Sequence, residues 1–225
     1  MSTIVVGGER LALLPEKAAF LPDRGTLLIA DAHVGKSASF RRLGVPVPRG
    51  TTTETLASLN ALVARLGARR VVFLGDLLHS AHAHAATTMA AFAAWRRLHP
   101  ELDLTLVRGN HDDRAGDPPA QLGIVTVDEP LRLGGLWLCH HPAARAGGYV
   151  LGGHTHPCVS LSGRAFDRLR LPCFLFGRDA GVLPAFGAFT GMHPVAAAPG
   201  DRVFVVAGGQ VDEVRTVRSG EATRR

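Results

Sequence analysis

The chain has 225 residues, 46% of them hydrophobic, which is enough for a sizeable buried core and too apolar for a disordered chain. Its formal charge of +6 and pI near 10.2 suit a polyanionic partner, although nearly all the basic residues are Arg, so charge lends only mild support. Its three cysteines, Cys139, Cys158 and Cys173, form no CxxC pair, which argues against a disulfide framework and fits small core residues in a reducing compartment.

The opening MSTIVVGGERLALLPEK carries no basic leader, and no apolar run approaches the roughly 18 residues of a membrane-spanning helix. A soluble, cytoplasmic protein without membrane contact is expected. Ile4 to Val6 and Leu11 to Leu14 flank Gly7 and Gly8 and predict a hairpin. Leu27 to Ala30 is a short strand that ends in DAHVGK. The stretch SASFRRLGVPVPRG that follows is rich in Pro and Gly and predicts irregular chain. At TTTE, Glu54 stands three residues after Thr51 and predicts a capping box for a helix that Gly67 stops.

Val71 to Leu74 is the next strand, ending in GDLLHS; a helix over about Thr87 to Leu98 leads to a strand, Leu102 to Val107, ending in RGNHDD. After that the pattern is mostly strand: Ile124 to Val127, Leu131 to Leu133, Leu136 to Cys139, Tyr149 to Leu151, Val159 to Leu161, Leu169 to Phe176, Val203 to Val206 and Val211 to Val214. Strand–helix alternation followed by strands predicts an α/β (α+β) protein of two packed mixed sheets with helices outside them, as one domain over residues 1–225. The polar end, residues 217–225, is expected to be a flexible tail.

Metal-capable residues collect where strands stop: Asp31 and His33, Asp76 and His79, Asn110 with His111 and Asp112, His140 and His141, and His154 and His156. Loops at strand carboxyl ends converge while the sheet fixes their origins. Carboxylate, imidazole and amide donors without thiolate suit manganese, iron or zinc. Asp76, central in the order, is the expected bridge between two ions roughly 3.5–4 Å apart. Two divalent cations less two aspartates leave about two positive charges, a field that a phosphoester uses better than a neutral ester.

In this order, DAH, GDLLH, GNHD, CHHP and GHTH resemble the signature blocks of the calcineurin-like metallophosphoesterases. More narrowly, IADAHVGKSASFRRLGVPVPRGTT, FLGDLLHS, VRGNHD, CHHP, GHTHP and LPAFGAFTG resemble the PdeM family of ligase-associated DNA damage response phosphoesterases. Ala32 departs from the larger residue, often Leu, expected there, without loss of a ligand. The resemblance implies a four-layer αββα sandwich. It implies one metal on Asp31, His33, Asp76 and His156, and a second on Asp76, Asn110, His140 and His154. His111 would contact the phosphate and protonate the leaving oxygen, with Asp112 orienting it. The metals implied are two divalent ions, foremost Mn2+, with Fe, Zn or Ni as other candidates.

His140 is favoured over His141 as ligand, which leaves His141 as support or packing; His79 is expected either to orient Asp76 by a hydrogen bond or to cap a turn. Lys36, Arg41 and Arg42 are candidates to hold substrate phosphates, and Phe40 either stacks a base or anchors its loop. Gly75, Gly109 and Gly153 are expected to let the chain turn sharply beneath the ions. The function expected is a binuclear phosphodiesterase, a DNA-repair-associated endonuclease that attacks phosphorus with a metal-bridging hydroxide. Its substrate would be DNA and its partners a DNA ligase or helicase. Two alternatives remain open: a small-molecule phosphoesterase acting on a nucleotide pyrophosphate or cyclic nucleotide, and a non-catalytic scaffold of the same fold.

Overall fold

Gly7 and Gly8, both at positive φ (56° and 77°), close a tight turn between β1 (Ser2–Val6) and β2 (Glu9–Leu13). Positive φ at both positions gives the turn the twist that paired antiparallel strands need. A computed structural model describes residues 1–42, 44–47, 50–162 and 168–214, and the first sheet grows from this hairpin. β3 (Ala19–Leu21) and β4 (Thr26–Ile29) continue it antiparallel. β5 (Arg70–Leu74), β6 (Asp103–Val107) and β7 (Ile124–Val127) extend it in parallel from β4. Parallel neighbours need crossovers, and α2 (Thr51–Leu66) and α3 (Ala86–Leu98) supply them.

The second sheet holds β8 (Leu131–Leu133), β9 (Leu136–Leu138), β10 (Tyr149–Gly152), β11 (Pro157–Ser162), β12 (Arg168–Phe176), β13 (Ala180–Val182), β14 (His193–Pro194), β15 (Arg202–Ala207) and β16 (Gln210–Val214). β9, β10 and β13 are parallel neighbours, while the long β12 pairs antiparallel with β11, β13 and β15.

Side-chain alternation builds a core on each face of the first sheet. Leu27, Ile29, Val71, Phe73, Leu104 and Leu106 pack under Leu56, Leu59 and Leu62 of α2 and Phe92 and Trp95 of α3. Leu28, Val72, Leu74 and Val107 point the other way, onto Leu136, Leu138, Leu151 and Phe174 of the second sheet. Burial on both faces explains why β4 and β5 read as unbroken apolar runs. On the other face of the second sheet, Cys173, Val203 and Val205 pack with Val195 and Ala197 of the segment that follows β14. All three cysteines are buried and free, as expected.

The start of SASFRRLGVPVPRG, expected to be irregular, is instead part of a helix, α1 (Lys36–Arg42), held by buried serine hydroxyls. Thr51 is not a capping residue: Gly50 (φ 89°) precedes α2 without a side-chain cap, and Thr51 Oγ1 instead donates to Ser37 Oγ at 2.7 Å. GNHDD contains a short helix, α4 (Asn110–Ala115), whose Asp112 accepts the Gly109 N–H at 3.0 Å, one half of a capping box. Residues 217–225 lie outside the described residues. No described helix is long and apolar enough to cross a membrane.

Candidate active site

Five chain segments meet at the carboxyl ends of β4, β5, β6, β9 and β10. Asp31 and His33 follow β4, Asp76 follows β5, Asn110 opens α4 after β6, His140 follows β9, and His154 and His156 follow β10. Among the described residues, those other than glycine with positive φ are Lys17, Asp31, His33, Asp76, His154 and His156. All but Lys17 belong to the donor sets expected from sequence. Left-handed backbone costs a non-glycine residue about 1–3 kcal/mol and persists where surrounding bonds enforce it. Here they do: His33 N–H donates to the Asp76 carbonyl at 2.9 Å, and Val34 N–H to the Leu77 carbonyl at 2.8 Å.

The donors converge in two groups. One brings Asp31, His33 and His156 together with ligand atoms within 4.8 Å of one another. There His33 Nε2 lies 3.3 Å from His156 Nε2 and 3.9 Å from Asp76 Oδ2. The other sets His140 Nε2 3.0 Å from Asn110 Oδ1, 2.9 Å from His154 Nδ1 and 3.5 Å from Asp76 Oδ1. Two donors each about 2.1 Å from one ion lie about 3.0–3.4 Å apart at octahedral or tetrahedral angles, which the His33–His156, His140–Asn110 and His140–His154 spacings match closely, while the Asp76 oxygens stand somewhat farther off. Asp76 turns Oδ2 toward His33 and Oδ1 toward His140.

Neighbouring carbonyls orient the imidazoles. A carbonyl only accepts, so His140 Nδ1, 3.2 Å from the Leu74 oxygen, and His156 Nδ1, 3.1 Å from the Gly191 oxygen, carry the hydrogens. Each Nε2 is left with its lone pair toward the centre. Burial pushes the His33 imidazole far below its usual pKa and lowers those of His140 and His154, which keeps them neutral, the form in which an imidazole can bind a metal. Burial also raises the Asp76 carboxyl, only partly offset by the His111 N–H, and Asp31 adds to the rise. Asp31 Oδ1 is buried without a hydrogen-bond partner. A buried carboxylate oxygen left so is costly unless a cation meets it, and hard oxygen donors with imidazoles fit a divalent ion.

Glycine clears the space. A Cβ on Gly75 (φ 76°) would fall on the His140 ring, one on Gly109 would sit 2.5 Å from Asp76 Oδ1, and one on Gly153 would strike Asp31. Of the three, only Gly75 has the left-handed turn expected from sequence; at Gly109 and Gly153 the requirement is room.

His111 stands at the mouth, its side chain 31% exposed against 3% for Asp76. Its N–H donates to Asp76 Oδ1 at 2.9 Å, and its Nδ1 lies 2.7 Å from the His79 carbonyl. That carbonyl, rather than Asp112, holds the ring. The Asp112 carboxylate accepts from the N–H groups of Leu78 (2.9 Å) and Gly109 (3.0 Å), pinning the Asp76 loop to α4; burial pushes its pKa up to about 6. His79 makes no hydrogen bond to Asp76: its Nδ1 is buried without a partner, and its ring stacks on His111 at 4.8 Å.

His141 is half-exposed, with Nδ1 2.9 Å from Glu129 Oε1 and its ring 4.6 Å from His154. Sequence reasoning missed Glu129, whose Oε2 also accepts the N–H groups of His140 (2.7 Å) and His141 (3.0 Å). No motif marks it. Residues 183–191, noted in the sequence only as part of the motif resemblance and given no role, edge the site: Gly187 N–H donates to the Asp31 carbonyl at 3.2 Å, and Lys17 Nζ donates to the Gly187 carbonyl at 3.2 Å. Lys36 is half-buried in the field of Asp31 and Asp76, though burial is the larger effect and lowers its pKa. Arg41 is exposed on α1, and the side chain of Arg42 lies outside what is described.

No protein-family model matches the chain, and no curated protein does. Among solved structures, the nuclease MPE of Pseudomonas putida is 40% identical over 95% of this chain and 99% of its own, with a TM-score of 0.84. Yfce, a phosphoesterase from E. coli, is 16% identical over 84% of this chain and 97% of its own, and its TM-score of 0.38 is too low to bear on the fold. With near-complete coverage at that identity and two mixed sheets converging on a metal-capable cradle, the chain belongs to the metallophosphoesterases, which are phosphoric ester hydrolases.

Proposed function

We propose that this protein is a binuclear metal-dependent phosphodiesterase acting on nucleic acid, foremost DNA. The observation that carries the reading is Asp76, whose Oδ2 faces His33 (3.9 Å) while its Oδ1 faces His140 (3.5 Å), the two-sided arrangement of a bridging carboxylate. One ion would be held by Asp31, His33, Asp76 and His156, the other by Asp76, Asn110, His140 and His154. The similarity to a P. putida nuclease supports a polynucleotide substrate, as does the basic composition. Mn2+ is put first on the motif resemblance, while the donor set itself also suits Fe, Zn or Ni.

Two divalent cations there supply Lewis-acid polarisation of the phosphate and a lowered pKa for water. The chain's own residues do the rest. The hydrogen of His111 Nδ1 is committed to the His79 carbonyl, so proton transfer runs through Nε2, and the imidazolium delivers its proton to the departing oxygen. Asp112 positions rather than reacts: it holds the Leu78 and Gly109 amides, and through them the spacing of Asp76 and His111. Glu129 fixes the main chain at His140. A place in DNA repair beside a ligase or helicase rests on the motif resemblance alone, and a cytoplasmic location on the composition and cysteine usage.

The test is hydrolysis of bis(p-nitrophenyl) phosphate and of single-stranded, double-stranded and nicked DNA after manganese reconstitution, against a panel of nucleotides. Cleavage of DNA with a steep salt dependence is expected. Turnover confined to small nucleotides would move the assignment to a small-molecule phosphoesterase.

A further inference from the structure

Lys36 and Phe40 are four residues apart on α1, and so share a face of the helix. Buried hydroxyls fix that helix in place: Thr51 Oγ1 donates to Ser37 Oγ at 2.7 Å, and Ser39 Oγ lies 2.8 Å from Ser80 Oγ. The Phe40 ring consequently sits 5.9 Å from His79, tilted 33°, and His79 stacks on His111. Across from it comes Phe189, from the same segment whose Gly187 and Gly191 meet Asp31 and His156. The two phenyl rings are 5.8 Å apart at 89°. Phe189 also lines a small cleft with His33, Lys36 and Thr52.

Both rings are half-buried, so neither is sealed in a core. They come from chain segments about 150 positions apart, yet meet next to His79, whose ring in turn stacks on His111. A perpendicular pair offers a planar guest one face and one edge, the two geometries aromatic rings favour. A cation for phosphate next to aromatic rings for bases is the combination by which proteins hold single nucleotides along a strand.

We propose that Phe40 and Phe189 form a stacking corner for the base joined to the reacting phosphate, with Lys36 on a phosphate oxygen. These residues set specificity for base-bearing phosphoesters over bare sugar phosphates. The proposal rests on the phosphodiesterase reading but is tested apart from turnover. Binding of adenosine 5′-monophosphate and of ribose 5-phosphate to the manganese-loaded protein is measured by calorimetry for wild type, Phe40→Leu, Phe189→Leu and Phe40→Tyr.

The wild type is expected to favour the base-bearing ligand by roughly 5- to 150-fold, the range one stacked base supplies. Each Leu variant should bring that ratio toward one with ribose 5-phosphate affinity little changed, while Phe40→Tyr keeps it. Equal affinities in the wild type, or a preference that both Leu variants retain, overturns the stacking corner. A preference that behaves as expected in a protein that cleaves no phosphodiester would leave the corner standing and overturn the phosphodiesterase reading instead. Because the two phenylalanines lie on separate segments, loss of folding in one variant still leaves the other to decide.

Discussion

The main-chain N–H of His111 donates to Asp76 Oδ1 at 2.9 Å, which ties the side chain at the mouth to the carboxylate that lies between His33 and His140. The bond is made by backbone, so the imidazole can be removed without touching it. His111→Ala should therefore keep its full metal content and lose about 10²- to 10⁴-fold in kcat, the usual worth of a positioned acid. The loss should be greater for an alkyl leaving group than for nitrophenolate, which needs no proton. Metal analysis beside kinetics on the two substrate types checks this; a variant that loses metal would make His111 a ligand.

Asp31 predicts a stability effect whose sign depends on metal. Its Oδ2 accepts the His154 N–H at 2.9 Å, while its buried Oδ1 has no partner. In chelated protein, Asp31→Asn removes a buried carboxylate oxygen that no hydrogen bond satisfies and should stabilise by about 1–3 kcal/mol. With manganese present the same change removes a ligand and should destabilise. Thermal melts of both proteins with and without chelator read the crossing; a substitution that lowers Tm in both conditions would remove Asp31 from the ligand set.

Histidines held neutral give the metal-free protein a pH dependence. Burial, then Lys36 and His111, lower the His79 pKa from 6.5 to about 4. The unfolded chain thus takes up the proton first, and stability is lost as pH falls from about 6.5 toward 4. His33, His140 and His154 shift the same way and add to the loss. His79→Phe, which keeps a ring against His111 but cannot titrate, should show a shallower fall in Tm over that window. A slope equal to that of wild type would show that His79 is not held neutral.

Glu129 supports the second donor group from behind. Glu129→Gln keeps the shape but weakens acceptors to the N–H groups of His140 and His141, so metal affinity should drop about 10- to 100-fold with the fold intact. Metal titration followed by calorimetry measures it. Unchanged affinity at both sites would reduce Glu129 to a loop anchor.

Much of this site was legible because its donors sit where apolar runs stop, a relation that parallel strands impose on sequence. Asp31, Asp76, Asn110, His140, His154 and His156 could be gathered for that reason, and the structure brings them together. The partners that orient them could not. The carbonyls of Leu74, His79 and Gly191 are main-chain groups, and any residue type would supply them. Roles assigned by proximity in sequence fared worst: Asp112 adjoins His111 but points from α4 toward the Leu78 amide, and His79 offers His111 its carbonyl rather than offering Asp76 its ring. Helix α1 was missed because its stability comes from Ser37 and Ser39 bonding to distant residues, which local propensity cannot register.

The most direct test is anomalous scattering from crystals of the manganese-loaded protein. Two peaks roughly 3.5–4 Å apart are expected, one on either side of the Asp76 carboxylate, the first against His33 and His156 and the second against His140 and His154. A single peak, or two that Asp76 does not share, would contradict the account.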